Sequence, residues 1–136
     1  MNLLRFGIPL TLLCVCAPAG IADRELMQSS AVDVQGRRHV CERGRPGTST
    51  PWLADRVAAV GPEYPLIDRA RGHEGRGMFR IMLDPKTGRV MEVTVINSTG
   101  FQSLDKSVIA ALRKWRWKPD RWKEIDMPVT FEMKRK

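Results

Sequence analysis

The chain has 136 residues, with 23 Lys or Arg against 15 Asp or Glu, and therefore a formal net charge of +8 at pH 7. The length suits one domain, the 28% of charged residues excludes a protein with many membrane spans, and 43% hydrophobic residues exclude wholesale disorder. Three cysteines are too few for a disulfide scaffold or a four-ligand zinc site. The positive charge predicts an anionic partner (nucleic acid, acidic lipid or acidic polypeptide) without choosing among them.

The first 22 residues have the pattern of a secretory signal peptide. Arg5 precedes an apolar stretch, and small residues that include Ala19 and Ala22 follow it, which predicts export and cleavage after one of these alanines. Prolines interrupt the stretch, and it is shorter than the roughly 20 residues that a membrane-spanning helix needs. Two alternatives stay open: the segment is retained as a membrane anchor, or the protein is a lipoprotein acylated at Cys16.

Residues 23–61 are predicted to form a flexible polar connector. Glycine, proline and charged residues are dense there, above all between positions 42 and 51. The alternation of Val32 and Val34 favours a short strand, and the apolar spacing over 52–60 favours a short helix that Gly61 and Pro62 end. Once the signal is removed, Cys41 is the only thiol, which predicts an unpaired cysteine.

The folded unit is predicted over residues 62–136. Alternating apolar residues predict strands at 75–83 and 90–97, and the turn residues of 84–88 join them as an antiparallel hairpin. A helical pattern follows, with Ser103 or Asp105 as its cap, and Pro119 ends it. A last strand is predicted at 127–133, where Pro128 suits a strand start or a sheet edge because proline cannot donate a ladder hydrogen bond.

The order strand, strand, helix, strand predicts an α+β fold. We expect a three-stranded antiparallel sheet with one main helix packed on one face, preceded by a short N-terminal helix around Leu66, Ile67 and Ala70. The predicted core combines the inward side chains of the strands with the apolar face of the helix: Phe79, Ile81, Val93, Val95, Leu104, Val108, Leu112, Trp115 and Phe131.

Several short motifs follow one another between Pro62 and about Lys134. They are Pro62-Glu63-Tyr64-Pro65, Glu74-Gly75, Gly88-Arg89-Val90, Ser98-Thr99-Gly100, Leu112-Arg113-Lys114-Trp115-Arg116-Trp117-Lys118-Pro119 and Met127-Pro128-Val129-Thr130-Phe131. In this order and spacing the segment resembles the TonB C-terminal domain family. Asp68 is a departure, because the family often has alanine at that position.

The resemblance implies a periplasmic module that takes part in energy-coupled transport across the envelope. In the family, an extended segment of an outer-membrane transporter adds as a strand to the sheet, and force passed through the pair opens the transporter. The implied strand edge is Pro128, Val129, Thr130, Phe131, Glu132 and Met133, with a second contact at Pro62, Glu63, Tyr64 and Pro65. The same edge also suits a homodimer, formed by pairing with a second copy of the chain.

The length of the connector sets this chain apart from full-length TonB proteins, which carry an uncleaved membrane helix and a long proline-rich spacer. A flexible coil of about 40 residues covers only about 35 Å. We therefore interpret the chain as a stand-alone or minimal family member.

A second hypothesis concerns the segment Arg113–Lys123, in which cations alternate with Trp115, Trp117 and Trp122. This pattern is typical of sites that bind an anionic polymer or a membrane surface, although an exported protein is not expected to meet nucleic acid. An enzyme is not predicted, because His73 and Glu74 have no nucleophile or second base at a useful spacing. No catalytic residue, metal or cofactor is expected.

Overall fold

The structure is a computed structural model that describes residues 28–41 and 50–134. The predicted signal segment 1–22 lies outside the described residues, which form seven strands and three helices. Their bounds are β1 Ser30–Asp33, β2 Arg38–Val40, α1 Pro51–Ala54, β3 Arg56–Ala58, α2 Leu66–Ala70, β4 Gly75–Leu83, β5 Val90–Asn97, α3 Gln102–Leu112, β6 Arg116–Trp117 and β7 Trp122–Phe131. Over the same ranges, no helix is long and apolar enough to cross a membrane.

The α+β class is as predicted, but the sheet is larger than the three strands expected. Five antiparallel strands lie in the order β2-β1-β7-β4-β5, and β3 pairs with β6 in a separate two-stranded sheet. Strands β4 and β5 have the bounds that the period-two pattern predicts. The two additional strands of the main sheet come from the segment predicted to be a flexible connector.

The described part of that segment is built into the fold. Strand β1 is buried along its whole length, with Ala31 only 1% exposed, and it pairs with both β2 and β7. The helix expected over 52–60 covers only Pro51–Ala54, where Pro51 suits the first helical turn, and strand β3 follows after one residue. Asp55 separates the two because its carbonyl accepts the Lys118 N–H at 3.0 Å, which holds the chain against the end of β6.

The ends of α3 also differ from the prediction. The N-cap is Phe101, without a side-chain cap, because Ser103 donates to Asp68 at 2.7 Å and Asp105 accepts from the Thr99 hydroxyl at 2.7 Å. The helix stops at Leu112, well before Pro119. Trp115 therefore lies beyond the helix.

The predicted core residues lie on the inner face of the sheet and on α3, except Trp115, which follows the helix. All are buried except Val95, which is partly buried against the same cluster. In helix α2, which has the predicted position, the buried residue is Asp68, whereas Leu66 is 79% exposed. The cluster also contains residues that the sequence pattern did not assign to the core, namely Ala31, Trp52, Leu83, Trp117, Trp122, Ile125 and Met127.

Four indole N–H groups tie the polar N-terminal segment to the rest of the fold. Trp115 donates to the Val60 carbonyl at 2.6 Å, and Trp117 donates to the Trp52 carbonyl at 2.6 Å. Trp122 donates to Asp55 Oδ2 at 2.9 Å, and Trp52 donates to Ser29 Oγ at 3.0 Å. A buried indole N–H needs such a partner, so these bonds specify where the segment packs.

Candidate functional site: one side of the last strand

Strand β7 starts earlier than predicted, and its two halves have different surroundings. It pairs with β1 between Trp122 and Asp126, and from Glu124 onward it also pairs with β4 on the other side. From Met127 to Phe131 it pairs with β4, and among the described residues no strand pairs with its other side. The last strand was predicted to be the outermost of the sheet, and instead it is the third of five. Among residues 28–41 and 50–134, the side of β7 that faces β1 is unpaired from Met127 to Phe131.

The direction of the main-chain groups follows from one hydrogen bond. The Asp126 carbonyl accepts from Ser29 Oγ at 3.0 Å, so Asp126 faces β1. Successive residues of a strand direct their N–H and C=O groups to opposite sides. Pro128 and Thr130 therefore face the free side, while Val129 and Phe131 face β4.

This alternation explains why Pro128 is tolerated in the interior of β7. Its missing N–H would lie on the free side, so no hydrogen bond to β4 is lost. The free side then offers the Pro128 carbonyl and both main-chain groups of Thr130. Glu132 and Met133 follow the end of the strand, and the Met133 N–H donates to Glu74 Oε1 at 2.9 Å.

The predicted second contact segment, Pro62 to Pro65, lies between α3 and the end of β7. Ser107 Oγ donates to the Glu63 carbonyl, and the Tyr64 ring packs edge-on against Phe131 at 5.2 Å. The Tyr64 hydroxyl donates to the His73 carbonyl at 2.5 Å, and burial together with the nearby Glu74 carboxylate raises the pKa of Tyr64. A cleft of about 420 Å³ opens beside it, lined by Tyr64, Arg69, Glu132, Met133 and Lys134.

Asp68 holds this region together, a role that the sequence analysis missed. Asp68 is 2% exposed, and its Oδ1 accepts from Ser103 Oγ at 2.7 Å and contacts His73 Nδ1 at 2.8 Å. The hydrogen bonds from Ser103 and then His73 lower the pKa of Asp68, and burial opposes them. His73 in turn stacks on Phe101 at 4.0 Å, just before α3. The sequence signal for this role was Asp68 itself, which stands where the TonB C-terminal family often has alanine.

A charged network on the outer face joins the four strands around the start of the free side. Arg80 on β4 binds Asp126 on β7 through two hydrogen bonds of 2.9 and 3.1 Å, and this pairing raises the pKa of Arg80. Arg38 on β2 donates to Ser30 on β1 at 3.1 Å and lies 3.7 Å from Asp126. Glu124 completes the network at 2.6 Å from Arg80.

The turn of the β1–β2 hairpin is organised by Asp33. Its carboxylate accepts from the N–H groups of Gln35 and Arg37 at 3.0 and 2.9 Å, and from the Arg37 side chain at 3.0 Å. His39 Nε2 lies 2.9 Å from the same carboxylate. The hydrogen bond with His39 is the main reason why the pKa of Asp33 is held far below its usual range, against the effect of burial.

The aromatic half of the basic and aromatic surface hypothesis is wrong. Trp115, Trp117 and Trp122 are 8%, 0% and 6% exposed, and all three indoles donate hydrogen bonds inside the protein. They cannot stack on bases or insert into a membrane surface without leaving the core. The exposed cations of that segment are Arg113, Lys114, Arg116, Lys118 and Arg121, and the acidic Asp120 is exposed among them.

The geometry so far defines a small α+β domain whose distinctive feature is a main-chain edge. A family model described as Gram-negative bacterial TonB protein C-terminal matches residues 60–134. The chain therefore belongs to the TonB C-terminal family. Proteins of this family are not enzymes but act in transport and energy transduction.

Relatives agree with this assignment, and a solved structure has the same fold. The TonB protein of Vibrio cholerae is 38% identical over 76 residues, which cover 53% of this chain and 31% of the relative. The TonB protein of Neisseria gonorrhoeae is 29% identical over 72 residues, which cover 53% of this chain and 25% of the relative. The solution NMR structure of the Pseudomonas aeruginosa TonB C-terminal domain superposes with a TM-score of 0.51 and 24% identity, covering 60% of this chain and 87% of that one. The chain thus matches a third or less of these two curated relatives.

Proposed function

We propose that this chain is a periplasmic TonB-like interaction module that acts in energy-coupled transport across the outer membrane. Its partner is an extended peptide segment of an outer-membrane transporter, which adds as a strand beside Pro128–Met133. The observation that carries the proposal is the free side of β7, where Thr130 presents both main-chain groups and Pro128 presents its carbonyl. Such groups bind an extended peptide through main-chain hydrogen bonds.

The fold supplies a firm support for such a guest strand. Residues Met127 to Phe131 are already paired with β4 from Phe79 to Gly75, so the free side is held straight before any partner arrives. A rigid binding strand loses little conformational entropy on association. The cleft beside Tyr64 and Met133 lies at the end of this edge and can receive a side chain of the guest.

A titration with peptides from the N-terminal plug segments of outer-membrane transporters tests the proposal. We expect the Thr130 amide resonance to shift on binding. Thr130→Pro removes the N–H that faces the free side without removing a bond to β4, and it should weaken binding about tenfold or more. Thr130→Val is the matched control, because it keeps the N–H and the shape of the side chain and should bind like the unchanged protein.

Two results would contradict strand addition at this edge. One is loss of binding in Thr130→Val, which would mean that the hydroxyl and not the main chain is recognised. The other is a set of shifts confined to the outer strand β5, since its far side is also an edge of the sheet. A urea midpoint for Thr130→Pro close to that of the unchanged protein is needed to show that the fold is kept.

A further inference from the structure

The β1–β2 hairpin lies on the same side of β7 as the proposed guest strand. The register places Ser30 opposite Asp126 and Val32 opposite Glu124, which is the pairing that a longer guest would need. The hairpin therefore covers the Trp122–Asp126 part of one continuous edge of β7. The free part of that edge begins beyond Ser30, the first residue of β1. The geometry points to the hairpin as an internal stop that confines a partner strand to Pro128–Met133 and fixes where its end must lie.

This inference rests on the proposed function, because it describes which part of the β7 edge a partner can use. A guest strand antiparallel to β7 would continue the line of β1, and its C-terminal end would lie next to Ser29. A parallel guest would meet Ser29 with its N-terminal end. In both directions the partner is a short extended segment, and residues beyond the stop gain no ladder hydrogen bonds.

The hairpin is anchored firmly enough to act as a stop and not as a strand that a guest replaces. On the inner face, Ala31 is 1% exposed within the core cluster. On the outer face, Arg38 reaches across β1 to Asp126, which is also bound by Arg80. A guest that displaced the hairpin would have to break the ladder, this network and the Ser29 contact with Trp52 together.

The hairpin also closes its own turn, so it does not depend on a partner to stay formed. Asp33 accepts hydrogen bonds from Gln35, Arg37 and His39 within the hairpin itself. The His39 ring packs edge-on against Trp122, the first residue of β7, with 5.3 Å between the ring centres. The turn end of the hairpin is thus tied to the start of β7, far from the free half.

A length series of peptides tests the stop in the full chain. The probes are acetylated and amidated peptides of alternating Thr and Val, about four, six, eight and ten residues long, because any main-chain guest should pair irrespective of its sequence. In the unchanged protein we expect affinity to rise up to about six residues and then to stay within about twofold, since no further main-chain groups are free. Resonances of β1 should not move.

Ser30→Pro removes the N–H that faces Asp126 and should detach β1 from β7. In this variant we expect the eight- and ten-residue peptides to bind at least about fivefold more tightly than the six-residue peptide, because the main-chain groups of Glu124 and Asp126 become free.

Val40→Pro is the matched control in the same hairpin. The Cys41 N–H donates to Ser29, so the neighbouring Val40 N–H points away from β1, and the variant should keep the plateau. If Ser30→Pro does not fold, Arg38→Ala should shift the plateau in the same direction by a smaller factor.

Two results would overturn the stop: affinity in the unchanged protein that keeps rising from six to ten residues, and β1 resonances that shift as long peptides bind. These failures differ from a failure of the proposed function. In that case no peptide of any length would shift the Thr130 amide, in the unchanged protein or in Ser30→Pro.

Discussion

The buried carboxylate of Asp68 connects neighbouring elements through hydrogen bonds instead of apolar contacts. We call these hydrogen bonds the Asp68 lock. It joins α2 to the first turn of α3 through Ser103 and to the strand entrance of β4 through His73. Its Oδ2 is buried and has no hydrogen-bond partner among residues 28–41 and 50–134. A buried carboxylate is tolerated only while its hydrogen bonds hold, so the lock should depend on pH.

Asp68→Asn tests this dependence. Because the folded pKa of Asp68 is lowered, the charged form stabilises the fold above the unfolded pKa, and this contribution is lost as pH falls through the folded pKa. We expect Asp68→Asn to lower the urea midpoint at pH 5, and the difference from the unchanged protein to shrink by pH 2. Glu92→Gln, at an exposed position on β5, is the control. A difference for Asp68→Asn that stays constant between pH 5 and pH 2 would contradict the lock.

At the scale of single elements, the turn between β4 and β5 supports a neighbouring strand as well as its own hairpin. Gly88 adopts a φ of +75°, and its carbonyl accepts the Trp117 N–H at 2.9 Å. A Cβ at Gly88 would lie 1.9 Å from the Trp117 carbonyl oxygen. The turn therefore needs glycine for its backbone conformation and for its close approach to β6.

A pair of glycine substitutions separates these two reasons. Gly100 also has a positive φ, of +100°, but a Cβ there would have no neighbour within 4 Å. We expect Gly100→Ala to cost about 1–2 kcal/mol of unfolding free energy from backbone strain alone. Gly88→Ala should cost at least about 3 kcal/mol, because β6 must also move. Equal urea midpoints for the two variants would show that the contact with Trp117 is unimportant.

The elements that sequence reasoning predicted well are those whose partners are close in the chain. The alternation in β4 and β5 and the turn between them are local signals, and both strands have the predicted bounds. The same alternation predicts Met91 on one face with Val93 and Val95, yet Met91 is 72% exposed. A register shift between Met82 and Leu83 breaks the alternation there, and single-strand periodicity does not contain that information.

The candidate site was predicted less completely than these strands. The extent of the free side of β7 depends on pairing between strands that are far apart in the sequence. The alternation of Val32 and Val34 gave only a weak signal for a strand there, and the partner strand β7 lies about 90 residues further along the chain. Residues 122–126 were not predicted to be part of β7 for the same reason. Their apolar and polar residues do not alternate regularly, and their strand conformation depends on pairing with β1 and β4. The Pro128–Met133 edge was expected from the family resemblance, and its restriction to one half of β7 emerges only with β1 in place.

For the whole molecule, the distribution of tryptophan hydrogen bonds indicates that the stable unit begins before residue 62. Trp117 and Trp122 belong to the family-matched region, but their indole partners Trp52 and Asp55 precede it, and Trp115 bonds to Val60 at the first matched residue. Trp52 itself is 1% exposed. The N-terminal segment thus completes a core that the matched region leaves open.

Two fragments, 28–136 and 62–136, test this dependence directly. The shorter one lacks the hairpin, α1 and β3, so Trp117 and Trp122 lose both packing and hydrogen-bond partners. We expect its free energy of unfolding to be lower by about 3 kcal/mol or more, since burial of one large side chain contributes about 1.5–3 kcal/mol and each lost hydrogen bond adds to this. Its tryptophan emission should also shift to the red. Urea midpoints and emission spectra that agree between the two fragments would instead place the boundary of the stable unit at residue 62, and the N-terminal strands would then serve the edge of β7 without supporting the core.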